Sequence, residues 1–470
     1  MRVNTPARRM RHAFALLGVV VLALGAAAPA AMGQSAPHDA ERFYSNDPAN
    51  LPEPQGKPPA AKDAMERDLL EAARLGAHSF YDTSKVPLDT PTPRALNADL
   101  PTAPSEDDLR KCLAAAPEAK TAIGWTYNRM FWCQELGFRI AYEKVDLQTG
   151  ERTYKGTNLI RYQMVVAGTG TQRAVRVFFR PIPGSVSYPD WSVLDDPGSL
   201  NLDLVAQCGQ ESEYCSVAKP SVRKTWGEWN SSGSWVWWDI ASHEEASDAP
   251  LDKIIFHSWR LRYDGTSLEY PAGGRQTVER PFRCDSATYF NRWGTVFDKG
   301  CVLTNVIPHL QYDISDTRVQ EVARHIREAQ DSPAITWPKE SHTKNIPGKW
   351  VLTDPEDPQL PDGLHRVLGD SAIAKENTKF KNYACDRNGP YNALTGLPPK
   401  TPQQTAEGYQ CDEYPFRSSE EGASNSRYDF SVKWVPGSQN GSAGGRLNQQ
   451  FFFDDRILRI VDEFWVKINN

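Results

Sequence analysis

The sequence predicts an α+β protein in which a β-rich, sandwich-like N-terminal domain is followed by a smaller mixed domain, the whole stabilised by disulfides. Three observations predict it. Strand-length apolar runs fill the middle of the chain, a strongly amphipathic helical spacing follows after residue 315, and eight cysteines are shared between the two parts. At 470 residues, 40% hydrophobic and 24% charged, there is material for two or three cores of about 100–200 residues each. A collagen-like, coiled-coil or wholly disordered chain is excluded.

Residues 1–34 carry a basic start (Arg8-Arg9-Met10-Arg11), an uncharged run over 13–31 and small residues before Gln34. That is the layout of a cleaved secretory signal peptide. A membrane anchor is the alternative, since a run of this length could just span a bilayer, and Arg8-Arg9 raises the twin-arginine export route. No later segment is apolar enough to cross a membrane, so the expected mature protein is secreted and extracellular. The formal charge of −6 falls to −10 once the four arginines of this segment are removed. Such a chain does not attract a polyanion with net positive charge.

Residues 35–105 are rich in Pro, Ala and Asp, with one helical stretch near 64–76, and read as a linker or pro-segment. Residues 106–280 are expected to form the β-rich domain, whose role the sequence does not give. Runs such as Ile160-Arg161-Tyr162-Gln163-Met164-Val165-Val166 and Val175-Arg176-Val177-Phe178-Phe179 have strand length and lie between Gly or Asn/Asp turns. Five tryptophans fall within 226–238. They could stack on sugars or bases, or alternate ones fill the sandwich core, which is the favoured reading.

Residues 281–470 change character, with the chemistry concentrated in 385–470. Apolar residues at 319, 322, 323, 326 and 329 make one helical face, with Ser315 or Asp316 as N-cap and Pro333 beyond the stop. His325 is placed on the polar side of that helix, as a solvated surface residue. The cysteines, Cys112, Cys133, Cys208, Cys215, Cys284, Cys301, Cys385 and Cys411, read most simply as four sequential disulfides. Zinc is disfavoured by the lack of Cys-x-x-Cys spacing.

The richest segment is Cys411-Asp412-Glu413-Tyr414-Pro415-Phe416, followed by Glu420-Glu421-Gly422, a strand at 428–435, and a Gly-rich turn holding Asn440 ahead of a helix at 447–453. Carboxylate and amide oxygens near the start of one helix suit Mg²⁺, Mn²⁺ or Ca²⁺. A calcium-stabilised loop and an active site are equally compatible with that spacing. The bland readings are a salt bridge from Glu413 to Arg417 or Arg427, a solvated turn at Glu420 and Glu421, and a plain N-cap at Asn440.

These motifs resemble the NucA/NucB family of secreted bacterial deoxyribonucleases. The similarity rests on Cys411 with the five residues after it, on Glu421-Gly422, and on Asn440 with Gly444, Gly445 and Leu447. It covers 385–470 and extends loosely from 283. Ala423 departs from the family's usual second glycine. The resemblance implies a small ββα-metal-like nuclease domain and a divalent metal, Mg²⁺ or Mn²⁺ with Ca²⁺ as a further candidate. It implies Asp412 as general base, Glu413 and Glu421 as metal- or water-positioning groups, Arg446 as a phosphate clamp, and Asn440 and Gln449 as metal ligands. The enzyme expected is a secreted, metal-dependent, non-sequence-specific endonuclease acting on extracellular DNA, with RNA as an additional candidate. Two alternatives are a non-catalytic glycan- or cell-wall-binding protein with an inactive nuclease-like domain, and a toxin-type nuclease delivered to competitors. Residues 385–470 hold nine basic and eleven acidic side chains, so a bound cation rather than a basic face would have to meet the phosphates.

Overall fold

A computed structural model describes residues 41–43, 100, 103–146, 148–209, 212–267, 274–292, 295–351 and 362–470. The expected signal peptide and most of the 35–105 segment lie outside the described residues. No helix among the described residues is long and apolar enough to cross a membrane.

In chain order the first half contains β1 (Glu41–Phe43), α1 (Glu106–Ala115), β2 (Trp125–Asn128), β3 (Phe131–Val145), β4 (Arg152–Ala167), β5 (Ala174–Pro181), β6 (Asn201–Cys208), β7 (Cys215–Val217), β8 (Val222–Thr225), α2 (Trp226–Ser231), β9 (Val236–Ser242), β10 (Ile255–Thr266), β11 (Gly274–Gln276) and β12 (Arg280–Asp285). Then follow β13 (Asn291–Arg292), β14 (Thr295–Val296), β15 (Gly300–Leu303), β16 (His309–Asp313), α3 (Gln320–Asp331), β17 (Leu364–His365), α4 (Ala372–Asp386), α5 (Pro402–Ala406), β18 (Tyr409–Tyr414), β19 (Ser431–Pro436), α6 (Gly437–Gly445), α7 (Phe452–Asp454) and β20 (Glu463–Asn469). The protein is mixed α+β and rich in strands.

Two antiparallel sheets make the sandwich. One has the order β1-β3-β4-β5-β9-β7 with β2 on β3, the other β15-β12-β10-β6-β8 with β11 on β10. Inward residues of both sheets interdigitate: Phe138 stacks on Tyr263 at 4.0 Å between ring centres, and Trp132 meets Trp259 edge-on at 4.9 Å. The second sheet continues past residue 280, because β12 pairs with β10 and β15 with β12. The tryptophan cluster is absorbed largely by this core. Trp226, Trp229 and Trp238 are fully buried, while the half-buried Trp235 lies under Arg180 and Trp237 between Arg176 and Lys219.

The first sheet is apolar on both faces, which explains near-continuous runs such as Met164-Val165-Val166. Met164 and Val166 face the inter-sheet core. Val165 and Phe178 face a second core that also takes in Leu109 of α1, Val302, Phe453, Leu458 and Trp465. The last residues of the chain are thus packed against the sandwich. In the C-terminal part, the parallel pair β16–β20 and the antiparallel pair β20–β17 make a three-stranded sheet, and β18–β19 is a separate hairpin. Four disulfides join the cysteines in sequential pairs: Cys112–Cys133, Cys208–Cys215, Cys284–Cys301 and Cys385–Cys411.

Candidate functional site

The hairpin β18–β19 runs directly into α6, giving a strand–strand–helix unit. Its register sets the site. Asp412 pairs with Lys433, Gln410 with Val435 and Tyr414 with Ser431, so these six side chains share one face. Along that face β18 passes from exposed Gln410, through Asp412 at 7% exposure, to fully buried Tyr414. Asp412 therefore stands at the boundary between solvent and core. Its neighbour Glu413 points to the opposite face, because adjacent residues of a strand alternate. The sequence pair Asp412-Glu413 is not a paired site in space. Burial pushes the half-buried Glu413 carboxyl up to about 7, against the pull of Lys381 and with added repulsion from Asp412. It also accepts a hydrogen bond from the Arg417 backbone N–H.

On the site face α3 covers the hairpin. His325 is not a surface residue: it is 1% exposed, with Nδ1 2.7 Å from Asp412 Oδ2 and Nε2 2.8 Å from Ser431 Oγ. It lies at the rim of the apolar stripe, three residues after Val322 and four before Ala329, close enough to be carried inward with it. Neither Ser315 nor Asp316 caps α3; the helix starts later, at Gln320, and Asp316 instead accepts from Arg318 and Arg446.

Asn440 is the fourth residue of α6, not an N-cap ahead of a later helix. A glycine-rich helix is intrinsically weak. Here it is held by Ala443, Leu447 and Phe451 packing into the core beneath α3, and by Tyr312 donating to the Ala443 carbonyl at 2.8 Å. Asn440 Nδ2 donates to Gln410 Oε1 at 3.2 Å, placing it one side-chain step from Asp412 along the same face and leaving its own oxygen, Oδ1, without a partner among the described residues.

Arg446, expected to clamp a phosphate, is fully buried and ion-paired with Asp316 at 2.5 Å; the helix turns it inward. Burial raises the Asp316 carboxyl, but hydrogen bonds from Arg318 and Arg446 outweigh it and hold the group at about 2. Gln449 is exposed, and nine residues from Asn440 is two and a half helical turns, which points it away. Its neighbour Gln450 is the inward one, 4% exposed, with Oε1 lacking a hydrogen-bond partner among the described residues. The turn 446–451 is a π-helix, yet Ala443, Arg446, Leu447, Gln450 and Phe451 are buried at ordinary helical spacing.

Glu421 is buried and wholly engaged by His365. Its Oε2 accepts from the His365 backbone N–H and its Oε1 lies 2.8 Å from Nδ1. Burial disfavours the imidazolium, yet the hydrogen bond and charge of Glu421 win and raise the His365 pKa. His365, Glu420 and Glu421 present donor atoms within 4.8 Å of one another, a nitrogen-and-oxygen set able to hold a cation. Among the described residues the other such group is Cys208, Cys215 and His257, whose sulfurs are tied in a disulfide.

The hairpin, the helix and the carboxylates of this site fall within one stretch of chain that known proteins share. Residues 365–467 match the family Deoxyribonuclease NucA/NucB. The NucA/NucB segment contains Asp412, Asn440, Glu421 and the Cys385–Cys411 disulfide, and supports a nuclease function for the C-terminal part. It leaves out α3, and with it His325, which the fold supplies from upstream. No curated protein and no solved structure matches the chain.

Proposed function

We propose that the chain is a secreted, divalent-metal-dependent endonuclease that hydrolyses DNA phosphodiester bonds without sequence preference. The observation that carries the reading is the placement of Asp412 and Asn440 on one face of a strand–strand–helix unit, at the edge of solvent, inside the NucA/NucB match. Four disulfides and the family suit an extracellular address.

The donor atoms suit a hard cation. Asn440 Oδ1, at the open end of the face, has no partner among the described residues and is a neutral oxygen of the kind Mg²⁺, Mn²⁺ or Ca²⁺ take. Asn440 would hold the ion from the open side. When bound, a divalent ion would stabilise charge developing on the phosphate and acidify water. Asp412 takes the proton from the attacking water through Oδ1, the oxygen with no partner among the described residues, as the new P–O bond forms and the bond to the leaving oxygen breaks. Gln410 and Asn440 line the side from which a phosphodiester approaches. Read this way, Arg446 and Asp316 brace α6 from within rather than touch substrate.

Plasmid nicking tests this. The mature chain with Mg²⁺ or Mn²⁺ is expected to relax supercoiled DNA, EDTA to stop it, and Asp412→Asn to slow it by about 10²–10⁴-fold. EDTA-insensitive nicking, or undiminished nicking by Asp412→Asn, overturns the assignment.

A further inference from the structure

The geometry points to His325 as the positioning residue of the nuclease site, fixing the carboxylate of Asp412 from a helix that lies outside the family match. The inference rests on the nuclease reading above and concerns how its base is held. Three elements meet at this imidazole: α3 carries it, β18 supplies Asp412, and β19 supplies Ser431. The contacts are 2.7 Å to Asp412 Oδ2 and 2.8 Å to Ser431 Oγ, with His325 at 1% and Ser431 at 0% exposure.

The chemistry of the three groups orders the protons. An ionised carboxylate only accepts, so the proton between His325 and Asp412 sits on Nδ1. Nε2 is paired with the Ser431 hydroxyl, which has no other partner among the described residues and can donate to it. With both ring nitrogens bonded, the ring is held in one orientation. Asp412 is held by one oxygen, and Oδ1 alone remains to face solvent. Without the imidazole the carboxylate could rotate about its last bond and present either oxygen. A reacting group held in one orientation needs no reordering when substrate arrives.

The arrangement also gives the polar rim of α3 a purpose. The neighbouring contacts on this face are peripheral: Lys433 reaches Glu328 at 2.8 Å, and Gln330 reaches the hydroxyl of Tyr414 at 2.8 Å. Among the described residues, His325 is the residue of the helix that hydrogen-bonds Asp412.

Replacement by the two amides separates positioning from packing, because an asparagine amide nitrogen falls near the Nδ1 position and a glutamine nitrogen near Nε2. The experiment measures kcat and KM for DNA nicking, with thermal unfolding, on wild type, His325→Asn and His325→Gln. Expected is a kcat loss of about 10–100-fold in His325→Gln with KM little changed, and a kcat within about fivefold of wild type in His325→Asn, although both variants melt earlier. Equal kcat in the two variants, or His325→Gln as active as wild type, overturns the positioning role and leaves the nuclease reading standing. A wild type with no metal-dependent nicking overturns both.

Discussion

Asp462 and Arg283 form an ion pair in which neither side chain has any exposed surface. Arg129 joins it through two bonds of 3.2 Å, and Arg283 also donates to the Arg456 carbonyl. Arg456 in turn grips Asp285, at 2.7 Å and 2.9 Å. Gly300 makes room for this cluster, since a Cβ there would lie 2.5 Å from Arg456 Nε. The network ties the second sandwich sheet to the tail of the NucA/NucB segment.

Asp462→Asn is expected to lower stability by about 3–5 kcal/mol, because it leaves two guanidinium groups buried with too little negative charge. Burial favours the neutral acid, but Arg129 and Arg283 hold the Asp462 carboxyl far below its ordinary range. Its folded pKa lies under the unfolded value of about 3.9, so its contribution is complete above about pH 4 and is lost as pH falls further. Urea unfolding at pH 7 and pH 3 checks both statements: the gap between wild type and variant should shrink at the lower pH.

The cation is expected at Asn440 rather than at the His365 group. Asn440→Ala should raise the Mg²⁺ or Mn²⁺ concentration for half-maximal nicking at least about tenfold, while Glu420→Ala leaves it within about threefold. Metal titrations of nicking rate decide it, and the reverse ranking would move the ion to His365, Glu420 and Glu421.

Glu413 should make the protein less stable as the solution becomes less acidic. Its folded pKa of about 7 exceeds the unfolded value of about 4.3, so the native state binds more protons between those limits and stability falls as pH rises through the window. Glu413→Gln is expected to remove that slope and to melt later than wild type at pH 8, with the two converging near pH 4. Thermal unfolding across pH 4–8 reads the difference.

The Cys385–Cys411 disulfide, spanning 26 residues, fastens α4 to β18 one residue ahead of Asp412. Its removal in the double variant Cys385→Ala/Cys411→Ala should cost about 3 kcal/mol of stability. Nicking should decline well below the unfolding temperature, because the strand that carries Asp412, the proposed base, loses its tether. Activity and circular dichroism followed along the same temperature ramp would show activity failing first.

Much of the architecture was legible where local chemistry dictates it. Alternation and turn residues predict a sandwich, an even number of cysteines in locally close pairs predicts sequential disulfides, and the residues around Asp412 and Asn440 predict a unit that the fold builds as strand, strand and helix. Periodicity misleads where the tertiary fold decides. Asp412 and Glu413 look like a pair, but a strand sends them to opposite faces. Gln450 rather than Gln449 falls on the buried side of the helix after Asn440, and Arg446 has an inward partner 130 residues upstream. His325 is 87 residues from Asp412, so nothing local announces their contact. The available signal was its place at the rim of the apolar stripe of α3, where a polar residue can be drawn inward if it finds a partner.

The central strand of the C-terminal sheet is β20, the final strand of the chain, flanked by β16 from before α3 and by β17. Without β20 the sheet would be two edge strands with nothing between them, and would lack the Phe464 and Val466 side chains that underlie the helices of the site. Loss of β20 alone would therefore leave the hairpin and helix that carry Asp412 and Asn440 without the apolar layer they rest on.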